Sequence, residues 1–62
     1  MTKHTYYYKT VDTYGQVEYR KLTTTKDLSN LELIGHLHHY DYVNIHHAIY
    51  VITEEEYNNK ND

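Results

Sequence analysis

Six histidines, His4, His36, His38, His39, His46 and His47, are the side chains of this 62-residue chain best suited to metal or proton chemistry. On a strand, His36-x-His38 would set two imidazoles on one face, and His46 or His47 would complete a site. Zinc takes three or four such ligands in tetrahedral reach. The same residues also read as half-buried or exposed rings. The chain has no cysteine, its histidine spacing matches no known metal site, and no second layer of orienting groups is evident. Histidines placed in an interface would instead make association respond to pH near the imidazole pKa. Nucleophilic catalysis needs a nucleophile, a base and an orienter within reach. Ser29 is the only serine, and nothing near it in the chain suggests activation. Gly15 and Gly35 are the only glycines, so there is no phosphate-cradling loop. The reading is therefore not an enzyme and needs no cofactor, with a histidine-based metal-binding protein kept as a second alternative.

The carboxylates are unevenly placed. Residues 54–62 hold Glu54, Glu55, Glu56 and Asp62 against Lys60, so this segment carries the whole formal charge of −3 and positions 1–53 sum to zero. A terminal acidic run is ordinarily a solvated tail that aids solubility, and it could also meet a basic surface. Glu18, Asp27 and Glu32 are internal carboxylates available to a protein that presents phosphate-like charge to a DNA-binding enzyme. A generic nucleic-acid binder carries a basic surplus. This chain has six Lys and Arg against nine Asp and Glu, so no direct nucleic-acid partner is expected.

The elements that must position these groups are short. A chain of this length makes one small domain. Without cysteine it has no disulfide staples, which points to a reducing, cytoplasmic compartment. No apolar run approaches a membrane span and no signal-peptide core is present, so no membrane partner is expected either. Thr5–Val11 and Gln16–Leu22 read as a hairpin about the turn Asp12-Thr13-Tyr14-Gly15. Pairing positions that sum to 27 sets Lys9 by Glu18, Tyr8 by Tyr19 and Tyr7 by Arg20. In that register Tyr6, Tyr8, Thr10, Val17 and Tyr19 share the covered face, and Tyr7, Lys9, Val11, Gln16, Glu18 and Arg20 share the wetter one.

A helix is predicted over about residues 25–34. Thr24 with Asp27 would cap it, Leu28, Leu31 and Ile34 form its apolar stripe with Leu33 just off it, and Gly35 ends it. Val43–Thr53 alternates as a strand with apolar character on both faces, which a central position or an intermolecular pairing would hide. Thr53 and the glutamates after it could cap one more turn before Asn58–Asp62 frays. The expected fold class is α+β: a small β-β-α-β domain over residues 1–53, its antiparallel sheet covered on one face by one short helix, and an acidic, polar tail over 54–62. The aliphatic residues are too few to close an interior comfortably. Nine tyrosines can cover apolar surface while their hydroxyls stay wet. Homodimerisation is therefore predicted.

Gly15-Gln16-Val17-Glu18-Tyr19-Arg20-Lys21, then Leu22, a threonine-rich link and Ser29-Asn30-Leu31-Glu32-Leu33, resembles the small uracil-DNA glycosylase inhibitors of bacteriophages of the phi29 kind. The likeness spans about Gly15–Leu33. Glu18, Tyr19 and Lys21 match the family's Glu-Tyr-x-Lys strand; Ser29 and Glu32 match its Ser-Asp-aromatic-Glu helix less fully, with Asn30 in place of the Asp, Leu31 in place of the aromatic and a later helix tyrosine replaced near Gly35. The hairpin turn is also shorter, and the chain is less acidic. The resemblance implies a homodimer that offers acidic groups to the DNA-binding cleft and an apolar pocket to the side chain the enzyme wedges into DNA during base flipping. Glu18 would be a polar contact and Leu31 would line the pocket.

The expected function is thus a phage-type protein that binds and inhibits a host protein, most concretely a uracil-DNA glycosylase. The alternative is a counter-defence or host-takeover factor blocking another nuclease or regulator. The excess of lysine over arginine, with abundant Tyr, Asn and Ile, fits an A+T-rich phage genome. Partner contacts are expected at Tyr7, Glu18, Tyr19, Arg20, Leu28, Leu31 and Glu32. The dimer interface is expected at Val43, Ile45, Ile49, Tyr50, Val51 and Ile52.

Overall fold

A computed structural model describes residues 2–60. The chain is α+β, with a three-stranded antiparallel sheet and two short helices. In chain order the elements are β1 (His4–Val11), β2 (Val17–Thr24), α1 (Asn30–His39), β3 (Ala48–Ile52) and α2 (Glu54–Asn58). The strand order is β2-β1-β3, so the first strand is central. The last strand is an edge, so of the two expected ways to hide its apolar faces the central position is not realised within the chain.

The hairpin forms where expected, in a different register. Gly15 takes φ +84°, a left-handed conformation that costs an L side chain energy. Gly15 N–H donates to Asp12 O at 3.1 Å and Asp12 N–H to Gln16 O at 3.0 Å. The Asp12 carboxylate accepts from Tyr14 N–H at 2.8 Å and Gln16 N–H at 2.9 Å. These bonds describe a three-residue loop, Thr13-Tyr14-Gly15, in which a type I turn is followed by a left-handed residue that forms a bulge. Gly15 adds one position to the return path. Tyr8 therefore faces Arg20, Lys9 faces Tyr19 and Tyr7 faces Lys21. A one-residue slip sends every side chain of a strand to its other face. Val17 and Tyr19 thus lie with Tyr7 and Lys9, while Glu18, Arg20 and Leu22 lie with Tyr6, Tyr8 and Thr10, the reverse of the expected assignment for β2.

The helix starts later than its apolar stripe suggested. Ser29, not Thr24, is the cap: its hydroxyl accepts from Glu32 N–H at 3.3 Å, and the Glu32 carboxylate accepts from Ser29 N–H at 3.2 Å. This reciprocal box satisfies two donors at once. Thr24 closes β2 instead, its hydroxyl accepting from Lys26 N–H at 3.3 Å. Gly35 is interior to α1, and the reversal falls at Asp41, whose φ is +61°. Leu33 and Leu37, one turn apart, are both 0% exposed, whereas Leu31 is 83% exposed. Of the expected stripe, Leu28 and Ile34 pack partly against the core and Leu31 does not, while Leu33, read as just off it, is fully buried.

Residues 43–47 do not continue as a strand. The Asn44 side chain accepts from His46 N–H at 2.8 Å, and its carbonyl accepts from His47 N–H at 2.9 Å. Such local bonding competes with a ladder. Val43 is nonetheless buried, and Ile45 is left out in solvent. The core is Tyr8, Leu33, Leu37, Val43 and Ile49, with Tyr6, Leu22, Leu28, Ile34 and Val51 packed against it. Burial pushes the Tyr8 phenol above its ordinary pKa, while the Arg20 charge opposite pulls it back. Thr53 caps α2, its hydroxyl accepting from Glu56 N–H at 3.1 Å, so Glu54–Asn58 is helical where fraying was expected from Asn58 onward. Asn61 and Asp62, the end of that expected fray, lie outside the described residues. No helix among the described residues is long and apolar enough to cross a membrane.

Two outcomes test this packing. Gly15→Ala is expected to lower unfolding stability by about 1–2 kcal/mol, since only the left-handed conformation holds the register. Leu33→Ala is expected to cost about 2–5 kcal/mol, enough to unfold a marginal domain in a thermal melt.

Candidate partner-binding surface

The surface is unusual in what it leaves in water. Among the described residues Tyr14, Val17, Leu31, Tyr40, Tyr42, Ile45 and Tyr50 are exposed, against five side chains buried in the core and five more partly buried against it. Tyr14, at the hairpin tip, is 91% exposed. Three local clusters take in Tyr40, Tyr42 and Tyr50.

The first lies on the helix-bearing side of the sheet, beside the hairpin end. Thr10, Glu18, Arg20, Tyr42, Asn44 and His47 help line a groove of about 280 Å³. Arg20 donates from Nε and Nη2 to the same Glu18 oxygen, at 3.0 and 2.6 Å. That hydrogen bond, and the carboxylate's charge, hold the guanidinium pKa above its usual value. An exposed pair of this kind adds about 0–1 kcal/mol to stability.

The second cluster is the end of α1. His36 lies 4.6 Å from the Tyr40 ring and stacks 5.9 Å from Tyr42, and His39 meets Tyr40 edge-on at 4.7 Å. Lys26 Nζ sits 5.9 Å from the Tyr40 centroid, within cation–π range. His38 Nε2 is 3.3 Å from His47 O. Among the described residues no three histidine, aspartate or glutamate side chains converge as metal ligands.

The third cluster is the sheet face opposite α1. Lys9 lies between Tyr19 and Tyr50 in the strand ladder, and Tyr7 lies between Lys21 and Ile52. The Tyr57 ring of α2 sits 5.0 Å from Tyr7, and Glu56 reaches Lys9 at 3.9 Å.

The residues expected to meet a partner fall into three separate places. Glu18 and Arg20 line the groove, and Tyr7 and Tyr19 belong to the opposite face. Leu28, Leu31 and Glu32 gather at the start of α1. There the Leu28 N–H donates to Tyr6 OH at 2.7 Å, which ties Leu28 to the sheet, while Leu31 stands free. Of the residues expected at a dimer interface, Val43 and Ile49 are consumed by the chain's own core and Val51 packs against it. Ile45 and Tyr50 are exposed, and Ile52 is partly so. Tyr14, Tyr40 and Tyr42 were not among the expected contacts. The available signal was chemical: aromatic residues in turns that ordinarily take small polar ones.

Glu32 supplies a direct test of the cap that presents Leu31. Its hydrogen bonds with the Ser29 backbone and side chain hold its pKa below the usual glutamate value. The cap's contribution is therefore complete above the unfolded pKa of about 4.3 and is lost as pH falls through the lowered folded value. Acid titration of helicity by circular dichroism is expected to lose this component in Glu32→Gln. Ser29→Ala is expected to cost about 1 kcal/mol at neutral pH. No protein-family model matches this chain, and neither a curated protein nor a solved structure does, so its functional reading rests on the surface chemistry above.

Proposed function

We propose that the chain is a protein-binding inhibitor that works as a homodimer, and most concretely that it blocks a uracil-DNA glycosylase by occupying its DNA-binding cleft. The observation that carries the reading is the set of large side chains left in solvent, Tyr14, Val17, Leu31, Tyr40, Tyr42, Ile45 and Tyr50, four of them tyrosines. Large exposed apolar surface in a small chain is a mark of association, and tyrosine is among the residues that anchor interfaces.

Two positions connect this surface to the resemblance. Leu31, assigned to line a pocket for the enzyme's wedge side chain, is exposed beside the interior Gly35 of α1, where an added Cβ would meet nothing. Glu18, assigned as a polar contact, gives one oxygen to Arg20 and has a second in hand for a basic group of a DNA-binding cleft. Both positions are compatible with recognition that leaves the chain's own core undisturbed.

The purified protein is expected to abolish uracil excision from a duplex oligonucleotide at about one dimer per enzyme. Absence of inhibition at large excess would remove the glycosylase, and capture of a different nuclease or regulator would then favour the host-takeover alternative. Leu31→Asp is expected to weaken inhibition at least about tenfold, with the circular dichroism spectrum unchanged, because Leu31 contributes nothing to the core.

A further inference from the structure

We infer that the sheet face opposite α1 is a site for single-stranded nucleic acid, and that α2 occupies it as an internal stand-in for that strand. This inference is independent of the inhibitor reading. The whole-chain charge argues against a nucleic-acid partner, but the charge is segregated by face. Strand alternation with the observed ladder puts Tyr7, Lys9, Tyr19, Lys21 and Tyr50 on this side. Glu18, the one carboxylate among the described strand residues, is on the other side. The face is therefore a set of aromatic rings interleaved with ammonium groups on an antiparallel sheet backed by a helix. Single strands are recognised by this combination: bases stack on rings while lysines track the phosphates.

The contacts made by α2 show what the face accepts. Glu56 sets a carboxylate 3.9 Å from Lys9 Nζ, where a phosphate oxygen would lie. Tyr57 sets a ring 5.0 Å from Tyr7, tilted by 49°, where a base would lie. Glu54 and Glu55 extend the negative run, and an open groove between α2 and Tyr19 continues along the face. The hold is light. The helix has five residues, none of them buried, and an ion pair and a ring contact of this exposure are exchangeable with solvent. Lys60 lies 3.9 Å from the Tyr57 centroid, on the ring that covers Tyr7.

The test uses the full chain and fluorescence anisotropy of labelled oligo-dT and oligo-rU at low salt. The triple variant Glu54→Gln, Glu55→Gln, Glu56→Gln keeps the Thr53 cap and removes the competing charge. It is expected to bind about tenfold or more tightly than the unmodified chain, with affinity falling as salt rises. Adding Lys9→Ala should reduce the logarithmic salt slope by about 0.7. Adding Tyr50→Ala should weaken binding several-fold without changing that slope. Binding of either oligonucleotide with these dependences supports the site. The inference is overturned if the triple variant binds no better than the unmodified chain, or if its binding is indifferent to both Lys9→Ala and Tyr50→Ala. Loss of glycosylase inhibition would not bear on either result.

Discussion

One backbone conformation decides the chemistry of both surfaces. With Gly15 in the left-handed region, the hairpin loop holds three residues and the return strand pairs one position later than a two-residue turn would allow. Because β1 is the central strand, the register of its neighbour determines which β2 side chains join the core and which join the open face. Leu22 is brought beside Tyr6 and under α1, and Tyr19 is placed across from Lys9. The Asp12 carboxylate, accepting two backbone N–H groups, holds the loop in this state.

The rest of the architecture follows from having little apolar material. The Cα envelope measures 38 × 29 × 14 Å, so the molecule is thin, with α1 over one face of the sheet and the five-residue α2 against part of the other. Such a layer buries few side chains completely. Val43 is drawn in from a loop to fill the core where a longer strand would otherwise have supplied a residue. Tyrosine solves part of the problem. Tyr6 packs its ring against the core while its hydroxyl donates to Lys26 O at 3.0 Å and accepts from Leu28 N–H, which links the sheet to the start of α1. Tyr14, Tyr40, Tyr42 and Tyr50 are left outside, in solvent.

The existence and order of the main elements were legible in the sequence, because strand propensity and alternation mark the hairpin and the stretch ending at Ile52. Their boundaries were less so. Leu28, Leu31 and Ile34 are as helical in spacing as Leu33 and Leu37. Leu33 and Leu37 are enclosed with Tyr8 and Ile49, Leu28 and Ile34 pack at the edge of that core, and Leu31 is left out. Ser29-x-x-Glu32 was a complete capping box in the sequence, stronger than Thr24 with Asp27, and it outranks the stripe as a start signal. Gly35 reads as a terminator but is tolerated inside a helix at a cost of about 1 kcal/mol. Asn44 hides a turn inside an alternating pattern. For the candidate site, residue types were legible and their grouping was not, since a single added loop residue exchanges the faces of Glu18, Tyr19 and Arg20.

The most direct measurement is the set of cross-strand nuclear Overhauser contacts in the hairpin of the folded chain. Lys9 opposite Tyr19 and Tyr7 opposite Lys21 are expected, with contacts of the Leu22 methyls to the core side chains. Contacts of Lys9 with Glu18 and of Tyr8 with Tyr19 as direct partners would contradict this register, and both faces of the molecule would then have to be reassigned.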